Sequence, residues 1–278
     1  MKGERAEQAT DTRDKRAVRE FWQAASCGER LYLETDERAG YMRQAEERYR
    51  LEPFIADFAR FEASRGLRVL EIGVGLGADH QRFAEAGARL IGIDLTERAV
   101  EHTRRRLSLF ALSSNLSVGD AEALDFPDAS FDVVYSWGVL HHSPDTPRAI
   151  DEVRRVLKPG GIARIMIYHT WSMIGFMLWV RYALLRLRPW TSMRTLYARH
   201  LESPGTKAYS IAEARWLMRR FESVSIRTVL THGDLLSSDA GQRHRGPTLT
   251  MARALWPRRM IQTMLPRAGL FMLIEARK

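Results

Sequence analysis

Three acids and three glycines carry the first chemical signal in this chain. Within VLEIGVGLGAD, residues Val69 to Ile72 read as a buried strand. Gly73, Gly75 and Gly77 follow, and a helix with its own polar face comes next. Glycines in such a turn let the backbone approach a ligand closely, and the start of the helix offers unpaired N–H groups. Glu71 lies two residues before the first glycine, where an acid suits a ligand bearing hydroxyls or an amine better than one bearing phosphates. Asp94 ends the next apolar run, roughly 20 residues on, where an acid takes ribose hydroxyls. Asp120 closes a third run. The glycine turn with Asp94 points to an adenosine-bearing cofactor. Gly73, Gly75 and Ala78 also satisfy the dinucleotide fingerprint, so the turn alone leaves both NAD and S-adenosylmethionine (SAM) open.

The elements that must position these residues follow from a change of period at Arg68. Ahead of it the chain reads as helical. Residues 1–16 are charged, with little to bury, and suggest a frayed start. Val18 to Trp22 is apolar on one face, and Phe54, Ile55, Phe58 and Phe61 form a helical stripe behind Glu52-Pro53. From Arg68 strands and helices alternate. Strands are predicted at 68–72, 89–94, 116–119, 131–136 and 162–168. Helices are predicted at 77–86, from the N-cap Thr96 to 109, and from Pro147 to 157, stopped by Lys158-Pro159-Gly160-Gly161. Such alternation predicts a parallel sheet covered on both faces, with ligands beyond the carboxyl ends of its strands. Glu71, Asp94, Asp120, Trp137 and His169 all fall at those ends.

Composition sets outer bounds. A chain of 278 residues, 45% apolar, can build one large domain or a core with additions. The net charge of +9 is compatible with nucleic acid, an acidic lipid surface or an anionic substrate, and equally with a plain arginine-rich bias. Cys27 is the only cysteine, which excludes an internal disulfide framework and a cysteine-based metal site and suits a reducing compartment. With a charged rather than apolar start, this predicts a cytoplasmic protein. The longest apolar run, Met173 to Val180, is too short for a bilayer, which needs about 20 residues.

VLEIGVGLGAD, IGIDLTERAV, GDAEALDFPDASFDVVYSWGVLHH and EVRRVLKPGG resemble, in order and spacing, the class I SAM-dependent methyltransferases, above all the small-molecule enzymes of the type 11 group. The resemblance covers residues 68–168 and favours SAM over NAD. It implies a doubly wound, seven-stranded, mostly parallel Rossmann-like sheet whose last strand, from Gly269 to Ala276, runs antiparallel between the fifth and sixth. It implies that Gly73, Gly75 and Gly77 line the methionine and ribose portions of SAM. Asp94 would accept from both ribose hydroxyls, with Leu95 against the adenine. Asp120 would take the adenine amine, Ala121 its ring edge, and Glu71 the methionine end. Ser136 and Trp137 would floor the sulfonium. A turn role for Asp120 and core packing for Ser136 and Trp137 are the plainer alternatives.

After strand five the chain leaves the shared pattern. Some forty residues, Thr170 to Ala208, precede the helix 212–221, capped by Ser210, and a strand at 223–230. They open with WSMIGFMLWVRYALLRLRPW, a broad apolar face followed by Arg181, Arg186 and Arg188. In the family this position carries a substrate lid. Three readings compete: a lid on its own core, a greasy substrate pocket, and peripheral contact of 171–190 with anionic lipid. The polar stretch 237–247, with Arg243, His244 and Arg245, reads as a mobile loop.

Methyl transfer is an in-line displacement, so the protein must mainly position the acceptor and keep water away. A hydroxyl acceptor also needs a general base, and histidine has the proton affinity for it. The candidates are His169, His142, His141 and His232. His169 ranks first because it directly follows strand five. Leu-His-His recurs among family members with different acceptors, which argues that at least one of those rings is structural. Tyr168, Tyr209 and His232 are candidate acceptor contacts, with Asp234 either orienting His232 or serving a turn. No histidine pair has a metal-ligand spacing on one helix, so no metal is expected. No Asn-Pro-Pro-Tyr motif or RNA-binding module is visible, so no nucleic-acid partner is expected.

The sequence therefore predicts an N-terminal tail and helical cap over 1–66 and a SAM-binding domain over 67–278. A substrate lid is inserted at 169–208. The predicted activity is methylation, on oxygen or carbon, of a small, partly apolar acceptor. An RNA or protein methyltransferase and a SAM-binding interaction protein without turnover are the competing readings.

Overall fold

The computed structural model describes residues 14–238, 250 and 253–278; the first 13 residues and Arg243, His244 and Arg245 lie outside the described residues. Seven strands form one sheet: β1 (Arg68–Ile72), β2 (Arg89–Asp94), β3 (Asn115–Val118), β4 (Phe131–Trp137), β5 (Leu157–Tyr168), β6 (Ser223–Val229) and β7 (Phe271–Arg277). Their order is β3-β2-β1-β4-β5-β7-β6. β1 to β5 pair in parallel, and β7 is antiparallel to both β5 and β6. The doubly wound sheet is the one the sequence predicted. Strand order reverses between β1 and β4, which opens a crevice at the carboxyl ends of the strands.

Alternate residues of each strand feed two cores. Leu70, Ile72, Val134, Ile165, Ile167 and Ile274 pack with α7 (Thr146–Val156) and α10 (Ile211–Leu217) on one face. On the other, Val69, Val133, Tyr135, Met166 and Leu273 pack with Ile55 and Phe58 of α4 (Phe54–Ala59) and Phe83 of α5 (Ala78–Glu85). Burial of both faces is what parallel strands require. One boundary differs from expectation. Lys158-Pro159-Gly160-Gly161 does not separate helix from strand but bulges out within β5: Phe131 pairs with Leu157, whereas Val133 pairs with Ile162. Pro159 has no N–H for the ladder, and Gly160 takes φ +76, so these residues suit a bulge.

Ahead of the sheet lie a helix at 14–24 (α1), α2 (Glu29–Tyr32) and α3 (Arg38–Leu51). The buried Arg106 of α6 (Glu97–Leu109) ties α3 to the glycine turn. It donates to Gln81 Oε1 (2.6 Å), Gln44 Oε1 (2.7 Å), the Tyr41 carbonyl (3.0 Å) and the Leu76 carbonyl (3.1 Å). With no carboxylate among those four partners, burial pulls its pKa down to about 10.

Between β5 and α10 the chain forms α8 (Met173–Tyr182), a single 3-10 turn at Leu184–Arg186, and α9 (Met193–His200). Ser172 caps α8 by accepting from the Gly175 amide and meets Tyr197 Oη at 2.8 Å. Asp234 anchors the start of this segment. Its carboxylate accepts from the amides of Thr231 (2.9 Å), Leu270 (2.8 Å) and Ile174 (3.2 Å), and its carbonyl accepts from Trp256 Nε1 (2.9 Å). Among the described residues no helix is long and apolar enough to cross a membrane.

Candidate functional site

The crevice has two ends, built differently. At the first, the glycine turn is clamped between strands. Gly73 and Val74 donate to the Ile93 carbonyl at 2.8 and 3.3 Å, and Gly75 donates to Asp94 Oδ2 at 3.2 Å. Asp94 Oδ1 accepts from the Thr96 amide (3.0 Å) and hydroxyl (2.9 Å). Burial raises the Asp94 carboxyl above its ordinary value against those bonds. Gly73, Gly75 and Gly77 all have positive φ. A Cβ on Gly73 or Gly77 would strike Val139 or Thr103, whereas one on Gly75 would meet nothing within 4 Å among the described residues. Gly75 thus faces the open side of the turn. An open cradle beside a half-buried acid fits a ribose-bearing cofactor: Asp94 keeps lone pairs for a hydroxyl pair, and Leu95, also half-buried, stands next to it.

Glu71 and Asp120 each meet a partner the sequence did not suggest. Glu71 Oε2 lies 2.8 Å from His80 Nδ1, and His80 Nε2 lies 2.9 Å from Ser114 Oγ, which donates to the Leu90 carbonyl. Ser114 has no second proton to give, so Nε2 carries one and a single further proton is shared between Nδ1 and Glu71. Burial pushes Glu71 well up and His80 down to about 3. Asp120 Oδ1 accepts from the Glu122 amide (2.9 Å), and Oδ2 holds Lys15 Nζ at 2.8 Å. Lys15 also pairs with Glu122. Burial lowers the Lys15 pKa, but its bonds to Asp120 and Glu122 outweigh that and raise it. α1 therefore lies over the end of β3, with Ala121 half-buried beneath.

At the second end, side chains gather from distant parts of the chain. Trp137 is central: its ring neighbours Phe54 (6.1 Å), Phe58 (6.0 Å) and Phe271 (5.7 Å), and the Arg48 guanidinium lies 5.8 Å over it. Ser136 is buried and donates to the Ile72 carbonyl at 3.1 Å. Tyr168 stacks on Phe271 (5.9 Å) and donates to Glu202 Oε2 at 2.8 Å. Burial first, and then Glu202, raise that phenol well above its ordinary range. His142 Nε2 is 3.4 Å from the same Glu202 oxygen, and Nδ1 meets Ser203 Oγ at 2.8 Å. Trp22 of α1 sits edge-on to the His142 ring at 5.4 Å. His141 is fully buried between Tyr168 (3.9 Å) and His142 (4.2 Å), neither of its nitrogens has a hydrogen-bond partner among the described residues, and burial holds its pKa well below normal.

His169, Tyr209 and His232 are not brought to this group. His169 Nδ1 meets the Gly269 carbonyl at 3.3 Å, because along β5 the face alternates and Tyr168 takes the crevice side. Tyr209 bridges to His169 through the backbone, its amide on the Tyr168 carbonyl at 2.9 Å. His232 contacts Ser238 near α3. Asp234 serves the anchoring role described above, not the orientation of His232.

Sequence reasoning missed several charged residues of the crevice. Asp79, in the first turn of α5, is buried and accepts from Arg48 (2.7 and 3.1 Å), Tyr49 (3.0 Å) and Tyr135 (2.8 Å). Burial would raise this carboxyl, but Arg48 and the phenols hold it below its usual value. Arg48 also pairs with Glu52 at 3.6 Å. Burial pushes Glu52 up to about 7 against that pairing. Asp79 closes the glycine stretch itself and was visible there; Arg48, Glu52 and Glu202 carry no local signal. Among the described residues no cluster of potential metal ligands exists.

A family model described as a methyltransferase domain, of the type 11 group, matches residues 70–165. A sterol 24-C-methyltransferase from Aspergillus fumigatus is 34% identical over 122 residues, covering 40% of this chain and 32% of that protein. A 27-O-demethylrifamycin SV methyltransferase from Amycolatopsis mediterranei is 39% identical over 99 residues, covering 34% and 36%. The chain thus spans about a third of the length of the curated relatives it matches. Among solved structures, phosphoethanolamine N-methyltransferase 2 from Haemonchus contortus has a TM-score of 0.58 at 18% identity, covering 94% of this chain and 60% of that one. The [4+2]-cyclase SpnF has a TM-score of 0.52 at 21% identity, covering 89% and 85%. These two likenesses are of fold.

Proposed function

We propose that this chain, which belongs through residues 70–165 to the class I SAM-dependent methyltransferases, methylates a hydroxyl oxygen of a small, partly apolar acceptor. The supporting observation is Glu202, held between Tyr168 and His142 beside the aromatic wall around Trp137. SAM, when bound, supplies a methyl group on an electrophilic sulfonium. Asp94 and the glycine turn hold its ribose, and Asp120 with Ala121 meets its adenine. Trp137, Phe54 and Phe271 offer the acceptor an apolar surface and exclude water. An oxygen nucleophile must lose its proton. Glu202 accepts it directly or through Tyr168, and the His142 imidazole stands 3.4 Å from the same carboxylate, its far nitrogen held by Ser203. The 169–208 segment serves as the lid that delivers Glu202.

The relatives support small molecules, since their names specify a sterol and a rifamycin. Acids and aromatic rings dominate the crevice, which favours such an acceptor over RNA. A SAM-binding protein without turnover has no use for a carboxylate held between a phenol and an imidazole. The test incubates the purified chain and methyl-labelled SAM with an extract of the source cell, then separates organic, aqueous, RNA and protein fractions. Label in the organic fraction, lost in Asp94→Ala, is expected. Label in RNA or protein would overturn the reading, and SAM binding with no label anywhere would favour an interaction protein.

A further inference from the structure

We propose that the face formed by residues 171–190 and 253–268 docks on an anionic lipid surface. From Trp171 to His200 the chain carries five arginines and no acid, and from Arg253 to Ala268 four arginines and no acid. The two stretches share an origin in the fold. Ile174 and Trp256 both bond to Asp234, and the Met173 amide donates to the Ala268 carbonyl at 2.9 Å. Large apolar side chains stand out from both. Leu185, Leu187 and Trp190 are 73, 83 and 78% exposed, alongside Trp171 and Phe176; Leu255, Met264 and Leu265 are exposed in the second stretch. Every residue from Leu184 to Trp190 is exposed.

Some arginines elsewhere are compensated by an acid. Arg43, Arg50, Arg82, Arg105 and Arg220 each pair with a carboxylate. Within the face, Arg181 and Arg186 lie over the Tyr182 ring, and neither they, Arg188, Arg194, Arg259 nor Arg267 pairs with a carboxylate of the described residues. Exposed leucine and tryptophan interleaved with uncompensated arginine complement a bilayer interface. The apolar groups enter the acyl boundary and the guanidinium groups meet the lipid phosphates. A second copy of this chain is a poor occupant, because it would bring two acid-free arginine sets together. Nucleic acid would engage the arginines but leave Leu185, Leu187 and Trp190 without a role.

Flotation of the full chain tests this, using vesicles of phosphatidylcholine alone and of phosphatidylcholine mixed with phosphatidylglycerol. Binding to the mixed vesicles at least tenfold tighter is expected, falling as salt rises. Leu187→Ser with Trp190→Ser should weaken it roughly tenfold or more. Arg186→Gln with Arg188→Gln should weaken it by roughly fivefold per arginine. SAM affinity, measured by calorimetry, should be unchanged in both, which shows that the variants fold. Equal binding to both vesicle types, binding to neither, or a dimer in light scattering that Trp190→Ser dissolves would each overturn the proposal.

Discussion

The two ends of the crevice differ in where their residues come from. Glu71, the glycine turn, Asp94 and Asp120 fall within about fifty consecutive residues, each at the carboxyl end of one of three adjacent strands. The other end draws Trp22 from α1, Glu52 from the end of α3, Trp137 from the end of β4, His142 from after it, Tyr168 from β5 and Glu202 from beyond α9. A cofactor common to many enzymes can be held by a local, repeating βα unit. In the proposed reading, an acceptor particular to one enzyme is met instead by long-range convergence.

The hardest way to break that separation is Arg106. It joins α3, which carries Arg48 to the acceptor end, to the Leu76 carbonyl in the glycine turn. Arg106→Ala strips four buried acceptors of their donor and leaves a cavity. A loss of about 3–5 kcal/mol is expected in denaturant unfolding, together with weaker SAM binding. A loss confined to one end would show that the ends are not mechanically joined there.

Arg106 also shows what the sequence could and could not disclose. In Arg104-Arg105-Arg106 three identical side chains lie on one helix, and only the third is buried. No local pattern distinguishes it, because its partners lie 25 to 65 residues away. The sheet was legible because strand periodicity and turn chemistry are local. Asp94 stood out for the same reason, as an acid at a strand end opposite a glycine turn. Lys15, Arg48 and Glu202 were not legible, since each reaches its partner only after the sheet has formed. His169 directly follows β5, but alternation along the strand gives the crevice to Tyr168 and turns His169 to Gly269.

Glu202→Gln separates the ends more cleanly. The amide keeps the shape and can still accept from Tyr168 but cannot take a proton. A fall of about 10- to 100-fold in kcat is expected with SAM affinity unchanged. Calorimetry and steady-state kinetics on the product identified with labelled SAM would show it. An equal loss in SAM affinity would mean that Glu202 belongs to the cofactor end.

The Glu71–His80 pair gives the cofactor end a pH signature. Its native form keeps one shared proton, with Glu71 raised by burial and His80 lowered to about 3. The unfolded chain binds two protons below the ordinary carboxyl value of 4.5 and none above the ordinary imidazole value of 6.5. As pH falls below 4.5 the unfolded state gains the extra proton and stability drops. As pH rises above 6.5 the unfolded state releases a proton that the native pair retains, and stability drops again. Each limb slopes by about 1 kcal/mol per pH unit. Glu71→Gln with His80→Gln should flatten this contribution in denaturant titrations across the range. An unaltered profile would place the titration elsewhere.

Lys15 carries the smallest expected effect and bears most directly on how the ends communicate. Its ammonium sits on Asp120 Oδ2, while Asp120 Oδ1 is committed to the Glu122 amide. In the proposed reading, where Asp120 meets the adenine amine, the adenine must share or displace Lys15. The same helix places Trp22 against His142, so a cofactor that moves Lys15 also shifts the wall of the acceptor end. The ion pair is half-buried and about 1 kcal/mol is a fair scale for it. Lys15→Ala should then tighten SAM binding by less than tenfold, through a faster association rate in stopped-flow fluorescence, with kcat little changed. Weaker SAM binding in that variant would give Lys15 the opposite role, that of a clasp closing over bound cofactor, and would make α1 a part of the cofactor site.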